Sequence, residues 1–286
     1  MYLNSHTYFS LRYGTIKPEQ LLAIASENKI QTLALTDINN TSACLEFVRL
    51  SSKYNIKPVL GVDFRNATQQ QFVLIAKNNT GFFNINKYLS FFLHDPSMKI
   101  PEKAPNLEDV FVIYPYIHQK TYTLKNNEFI GIKPQDLNQL KFSKWSTYRH
   151  KLVVLQTVSF QNKKGFNTHR LLRAIDNNTL LSKLPKSEQG QETDVLLPYN
   201  QLKNIYQEFP ELLKNTMSVL KRCKITFETP KHTSNNQKSY TNHELLDFRL
   251  LKRLTYQGLH YRYKSLENVF LNVLKKNLLL SEKKSL

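Results

Sequence analysis

Short apolar runs alternate with amphipathic stretches as far as about residue 176. That pattern is expected of strands that each lead into a helix. Residues 2–6, 32–36, 56–64, 72–76, 110–114, 129–132 and 152–156 read as strands. Between them, Pro18 stands where a helix can begin without losing a hydrogen bond, and Leu21, Leu22, Ile24 and Ala25 then share one face. Asn39 or Asn40 is expected to cap a helix that buries Ala43, Cys44, Phe47, Val48 and Leu50. A longer helix starts at Asn79 or Thr80 and carries a wide apolar stripe from Phe82 to Leu93. Short helices are expected at 134–140 and 168–176. The order predicts an α/β fold, a mostly parallel sheet with helices outside, either open or closed into a barrel.

After Asn177 the strand signal fades. A polar connector at 180–194 precedes helices at 198–209, 210–223, 242–258 and 266–280, with a polar stretch at 229–240. The architecture is expected to change near residue 225, separating a barrel domain (1–225) from a mainly helical segment (226–286). The last helix gathers Leu266, Val269, Phe270, Val273 and Leu274 on one side, and that face is expected either to fold back on its own segment, the preferred reading, or to need a partner.

Charge narrows the choice of partner. The chain has 40 Lys+Arg against 22 Asp+Glu, a net charge of +18, which makes a polyanion such as DNA the natural partner. Only 7 glycines are present, which leaves little room for Gly-rich phosphate loops. Cys44 and Cys223 lie far apart in apolar helical contexts and read as buried thiols of a reduced compartment. No apolar run approaches the length of a membrane span, and no signal-peptide pattern opens the chain, so a cytoplasmic protein with no membrane partner is expected.

The candidate chemistry lies at the strand ends. The first strand ends in Asn4-Ser5-His6-Thr7, the second in Thr36-Asp37-Ile38-Asn39, and the third runs through Gly61-Val62-Asp63. In order and spacing these motifs resemble the N-terminal PHP (polymerase and histidinol phosphatase) domain of the alpha subunit of bacterial DNA polymerase III. The resemblance extends through Asn78-Asn79-Thr80-Gly81-Phe82, through Asn162-Lys163-Lys164-Gly165-Phe166, and to the run from Arg249 to Tyr263, which is similar to the family's lead-in to the polymerase palm. It implies an irregular (β/α)7-type PHP barrel followed by a mainly helical C-terminal segment, truncated before the palm.

The resemblance also implies a metal site. PHP phosphoesterases hold divalent ions with His and carboxylate ligands, and those ions activate water and neutralise phosphoryl oxygens. The matching positions here are Asn4, His6, Asp37, Ile38, Asp63, Thr157 and Ser159. His6, Asp37 and Asp63 keep ligating chemistry; Asn4, Ile38, Thr157 and Ser159 do not. The expected site is therefore a remnant, holding at most one weakly bound Zn, Mn or Mg ion and no other cofactor. His169 is expected on a helix surface rather than as a further ligand, and His118 and His150 are expected in solvent.

Other chemistries find no support. No Asp-x-Asp pair exists to hold the two ions of a polymerase, and no Walker loop or Gly-x-Ser-x-Gly turn is present. The resemblance implies a PHP region of a replicative polymerase, here a non-catalytic scaffold, whose partners are the remainder of that polymerase or its proofreading subunit. The second reading is a PHP-type phosphoesterase or 3′–5′ exonuclease. Lys163, Lys164, Arg170, Arg173 and Arg262, interleaved with aromatic residues, are the candidate DNA contacts.

Overall fold

The computed structural model describes residues 2–95, 97–117, 123–227, 239–263 and 268–284. The chain divides into two compact units, 1–227 and 228–286.

The first unit is a strand-and-helix barrel. Its strands are β1 (Asn4–Ser5), β2 (Thr32–Leu35), β3 (Lys57–Asn66), β4 (Gln69–Ala76), β5 (Val110–Pro115), β6 (Glu128–Ile132), β7 (Leu152–Val154) and β8 (Thr157–Val158). Hydrogen bonding runs in order from β2 to β7, while β1 pairs with β8. Two links close the ring. The N–H groups of Ala34 and Thr36 donate to the carbonyls of Tyr2 and Ser5 at 3.1 and 2.9 Å, joining β1 to β2. At the other side β8 continues β7 after Leu155 and Gln156.

One strand departs from the parallel sheet that the alternation predicts. β4 is antiparallel to both β3 and β5. The reason is the connection. Only residues 67–68 separate β3 from β4, with Ala67 at φ 52°, and a turn that short can only reverse the chain. The remaining pairs are parallel.

Helices cover the outside: α1 (Pro18–Glu27), α2 (Cys44–Ser51), α3 (Asn79–His94), α4 (Leu137–Lys141), α5 (Lys163–Asp176), α6 (Tyr199–Ile205) and α7 (Pro210–Lys221). Pro18 opens α1 as expected. Asn78 and Asn162 cap α3 and α5 alike, each accepting the N–H of the glycine three residues on. Neither Asn39 nor Asn40 caps α2, whose cap position is Ala43. Asn39 instead sits at φ 50° and trades two hydrogen bonds with the backbone of Arg65, at 2.9 and 2.8 Å. Its amide extends the strand pairing where β2 has ended.

Two apolar clusters fill this unit. The larger lies between strands and helices and includes Tyr2, Leu21, Phe47, Phe64, Leu74 and Tyr206. The smaller fills the barrel: Leu3, Ala34, Val59, Val73, Ile75, Phe111, Ile113, Phe129, Val153 and Leu155, closed off by Val219, Leu220 and Cys223 from the end of α7. Alternation along each strand produces the two sets, since neighbouring residues face opposite sides. Both cysteines are buried free thiols.

The second unit holds α8 (Glu244–Arg262) and α9 (Asn268–Lys284). No residue of α8 is buried. Of the apolar face expected to fold back in the last helix, Leu266 falls outside the described residues and Val273 is exposed. Much of the polar stretch at 229–240 also falls outside them. No described helix is long and apolar enough to cross a membrane.

Candidate functional site

The C-terminal ends of β1, β2, β3 and β8 meet at one end of the barrel, its mouth. There the apolar filling gives way to a layer of buried polar side chains: Asn4, His6, Thr36, Asp63, Arg65, Thr157 and Ser159.

His6 stands at the centre. Its Nε2 lies 3.0 Å from Asn4 Oδ1 and 3.0 Å from Asp63 Oδ2, and its Nδ1 lies 2.8 Å from Ser159 Oγ. Two oxygen acceptors on one nitrogen make Nε2 the protonated one, leaving Nδ1 to accept from the Ser159 hydroxyl in the neutral ring. Asn4 is held in turn: its amide donates to Thr157 Oγ1 at 3.2 Å, and the Thr36 hydroxyl donates to its Oδ1 at 3.1 Å. Asn4 and Ser159, which lack ligand chemistry, thus serve as hydrogen-bond partners for His6.

Arg65, which no motif marks, completes the layer. Its Nε and Nη2 donate to Asp63 Oδ2 at 3.0 and 2.7 Å, so one carboxylate oxygen takes three donors. Burial alone would raise the Asp63 pKa; the charge of Arg65 and the hydrogen bond from His6 outweigh it and hold the carboxyl well below its usual range. The guanidinium also lies 4.9 Å from the centre of the Tyr13 ring. Period-two alternation was the available signal, since Arg65 follows Asp63 by two residues on one strand.

Asp37 belongs to a different set. It accepts the Thr7 N–H at 2.6 Å, the Thr7 hydroxyl at 2.7 Å and the Ser10 hydroxyl at 2.7 Å. Burial raises its pKa, with those hydrogen bonds pulling the other way. Ile38 pairs with Asp63 as an isolated bridge and donates its N–H to Ser10 Oγ.

The layer is sealed. Asn4, His6, Asp63 and Ser159 are 0% exposed. Tyr13 forms the cover, with its ring 5.8 Å from that of His6 and 4.5 Å from that of His169. His169 is not on a helix surface: it is fully buried, its Nδ1–H donates to the Tyr13 carbonyl at 2.7 Å, and its Nε2 accepts the Gly190 N–H at 2.8 Å. Burial lowers its pKa to about 4, so the ring is neutral and ties the cover down on both sides. Outside the cover lies a cavity of about 520 Å³ lined by Phe9, Tyr13, Ile38, Asn39 and Arg173 among others.

A divalent ion needs several lone pairs converging on one point. Among the described residues no group of three His, Cys, Asp or Glu side chains does so. His6 points a proton toward Asp63, Asp63 Oδ2 is occupied by Arg65, and Asp37 faces Thr7 and Ser10. Asp63 Oδ1 is buried without a hydrogen-bond partner, a single open acceptor beside a guanidinium. In this arrangement the side chains do not fit a pair of bridging ions.

The candidate DNA contacts separate as well. Lys163 and Lys164 are exposed on α5, Lys163 lying 3.6 Å from Glu192. Arg170 donates to Gln189. Arg173 is buried and paired with Asp176 and Glu188. Arg262 is exposed at the end of α8. His150 is exposed, and His118 falls outside the described residues.

Residues 3–135, which contain His6, Asp37, Asp63 and Arg65, match the family described as PHP domain. The match takes in those mouth residues and a little under half of the chain. The chain's curated relatives include DNA polymerase III alpha subunits. That of Ureaplasma parvum is 25% identical over 185 residues, covering 63% of this chain and 18% of the relative. That of Borreliella burgdorferi is 22% identical over 314 residues, covering 93% of this chain and 27% of the relative. The chain thus spans about a quarter or less of these relatives' length. Among solved structures, a Bifidobacterium adolescentis protein assigned provisionally as a metal-dependent phosphoesterase is similar at 12% identity and a TM-score of 0.27, covering 71% of this chain and 94% of that one.

Proposed function

We propose that this PHP domain works as a scaffold within a replicative DNA polymerase and does not hydrolyse phosphoesters. The observation behind the reading is the buried His6–Asp63–Arg65 cluster. An internal guanidinium supplies the positive charge that a metal would bring, and the cover leaves a phosphodiester no route to it. The partners of such a scaffold are the remainder of the polymerase or its proofreading subunit. Support for that assembly comes from the alpha-subunit relatives.

The rival reading, a PHP-type phosphoesterase or 3′–5′ exonuclease, draws on the unpartnered Asp63 Oδ1. Metal analysis and an end-labelled DNA assay in Mn²⁺ or Zn²⁺ separate the two. A scaffold retains far less than one ion per chain and shows no cleavage that His6→Ala removes. Stoichiometric metal with cleavage abolished in that variant establishes the enzyme. For the scaffold role itself, co-elution with the palm-bearing polymerase region or the proofreading subunit is expected, and separate elution from both refutes it.

A further inference from the structure

We propose that the base of the barrel, the end opposite the closed mouth, binds the phosphate backbone of a nucleic acid. The topology gathers cations there. Lys57 is the first residue of β3, Lys77 follows the last residue of β4, Lys151 precedes β7, and Lys125 lies three residues before β6. Arg222 and Lys224 follow the end of α7, which stoppers this same end.

Their positions are held. Lys77 Nζ and Arg222 Cζ lie 4.8 and 4.6 Å from the centre of the Phe111 ring. Lys151 Nζ lies 5.6 Å from the centre of Phe129, whose ring meets Phe111 at 6.0 Å. Lys57 Nζ donates to the carbonyls of Leu220 and Lys221, and Lys151 Nζ to that of Lys125. Burial pushes the Cys223 thiol up to about 12, against the pull of the charges on Lys57, Arg222 and Lys77.

The two ends of the barrel differ in how charge is balanced. At the mouth, Arg12, Arg65 and Arg173 are each ion-paired, with Asp176, Asp63 and Glu188 among the partners. At the base, none of the six cations named above is ion-paired among the described residues. The carboxylates nearby are otherwise engaged: Glu128 is buried and accepts the Lys125 N–H, and Asp109 accepts the Asn78 amide. Unpaired cations seated on ring faces and carbonyls form a fixed positive surface, and the net charge of +18 extends its field. A phosphate backbone carries the complementary charge. Because Phe111 and Phe129 are buried beneath the cations, they are not available for stacking on bases, and contact is to the backbone alone.

Fluorescence anisotropy of the full chain with a labelled 20-mer duplex, titrated from low to moderate NaCl, tests this. Affinity should fall linearly on a log–log plot and be independent of base sequence. The double change Lys77→Gln/Arg222→Gln should weaken binding about tenfold and make the slope shallower by about 2, near 0.9 for each phosphate that is no longer neutralised. Lys151→Gln/Lys224→Gln should act in the same direction, and serves if the first pair fails to fold by circular dichroism. The proposal is overturned if both folded pairs bind like the parent. It is equally overturned if the loss is confined to Lys163→Gln/Lys164→Gln, or if polyglutamate competes as well as DNA, which would make an acidic protein the partner. None of these outcomes depends on whether the mouth is catalytic.

Discussion

Arg65 and His6 share one atom, both donating to Oδ2 of Asp63, from 2.7 and 3.0 Å. The shared oxygen makes the three side chains a single electrostatic unit. Arg65→Met leaves a buried carboxylate without its counter-charge and should cost about 3–5 kcal/mol in urea unfolding. Asp63→Asn/Arg65→Met should lose less than the sum of its single changes, because neither partner is then left alone.

His169 gives stability a dependence on pH. Its folded pKa, lowered to about 4, lies below the ordinary 6.5. Below 6.5 the unfolded chain takes up a proton that the folded one refuses, so stability falls as pH drops from 6.5 toward 4, by about 3 kcal/mol in full. Asp37, raised by burial, acts in the opposite sense. Urea midpoints at pH 4.5 and 7 should therefore converge in His169→Gln relative to the parent, and an unchanged gap would remove His169 from the account.

Asp37 is read as an organiser of the loop formed by residues 7–10. Asp37→Ala strands the Thr7 N–H and two hydroxyls and should cost about 3 kcal/mol. Asp37→Asn keeps the shape and one acceptor, and should lose less. Thermal unfolding of the two variants side by side measures the difference.

The stopper at the base is testable by packing. Leu220 is 2% exposed at the end of α7 and belongs to the interior cluster. Leu220→Ala should destabilise the protein by about 2–5 kcal/mol, a core-sized loss from a helix that follows every strand. A loss under about 1 kcal/mol would place the residue at a surface instead.

Much of the fold could be read from the chain because period and punctuation agreed. Pro18 opened its helix, and strand follows helix through the first half in the expected order. The reversal of β4 was hidden, since alternation reports which face a residue takes but not strand direction. His169 was misplaced for a related reason. α5 starts at Lys163 rather than 168, and Asn162 with Gly165 repeats the cap of Asn78 with Gly81. At the mouth, the motif identified His6 and Asp63 as neighbours but gave no place to Arg65. A family pattern marks where ligands stand and is silent about the residues packed between them.

The end of α7 also bears on how the protein is made. The apolar lining of the barrel packs at the base against Val219, Leu220 and Cys223. Every strand leaves the ribosome before those residues do. The cylinder therefore cannot reach its final packing until synthesis has passed Cys223, and its lining stays wet in the nascent chain until then.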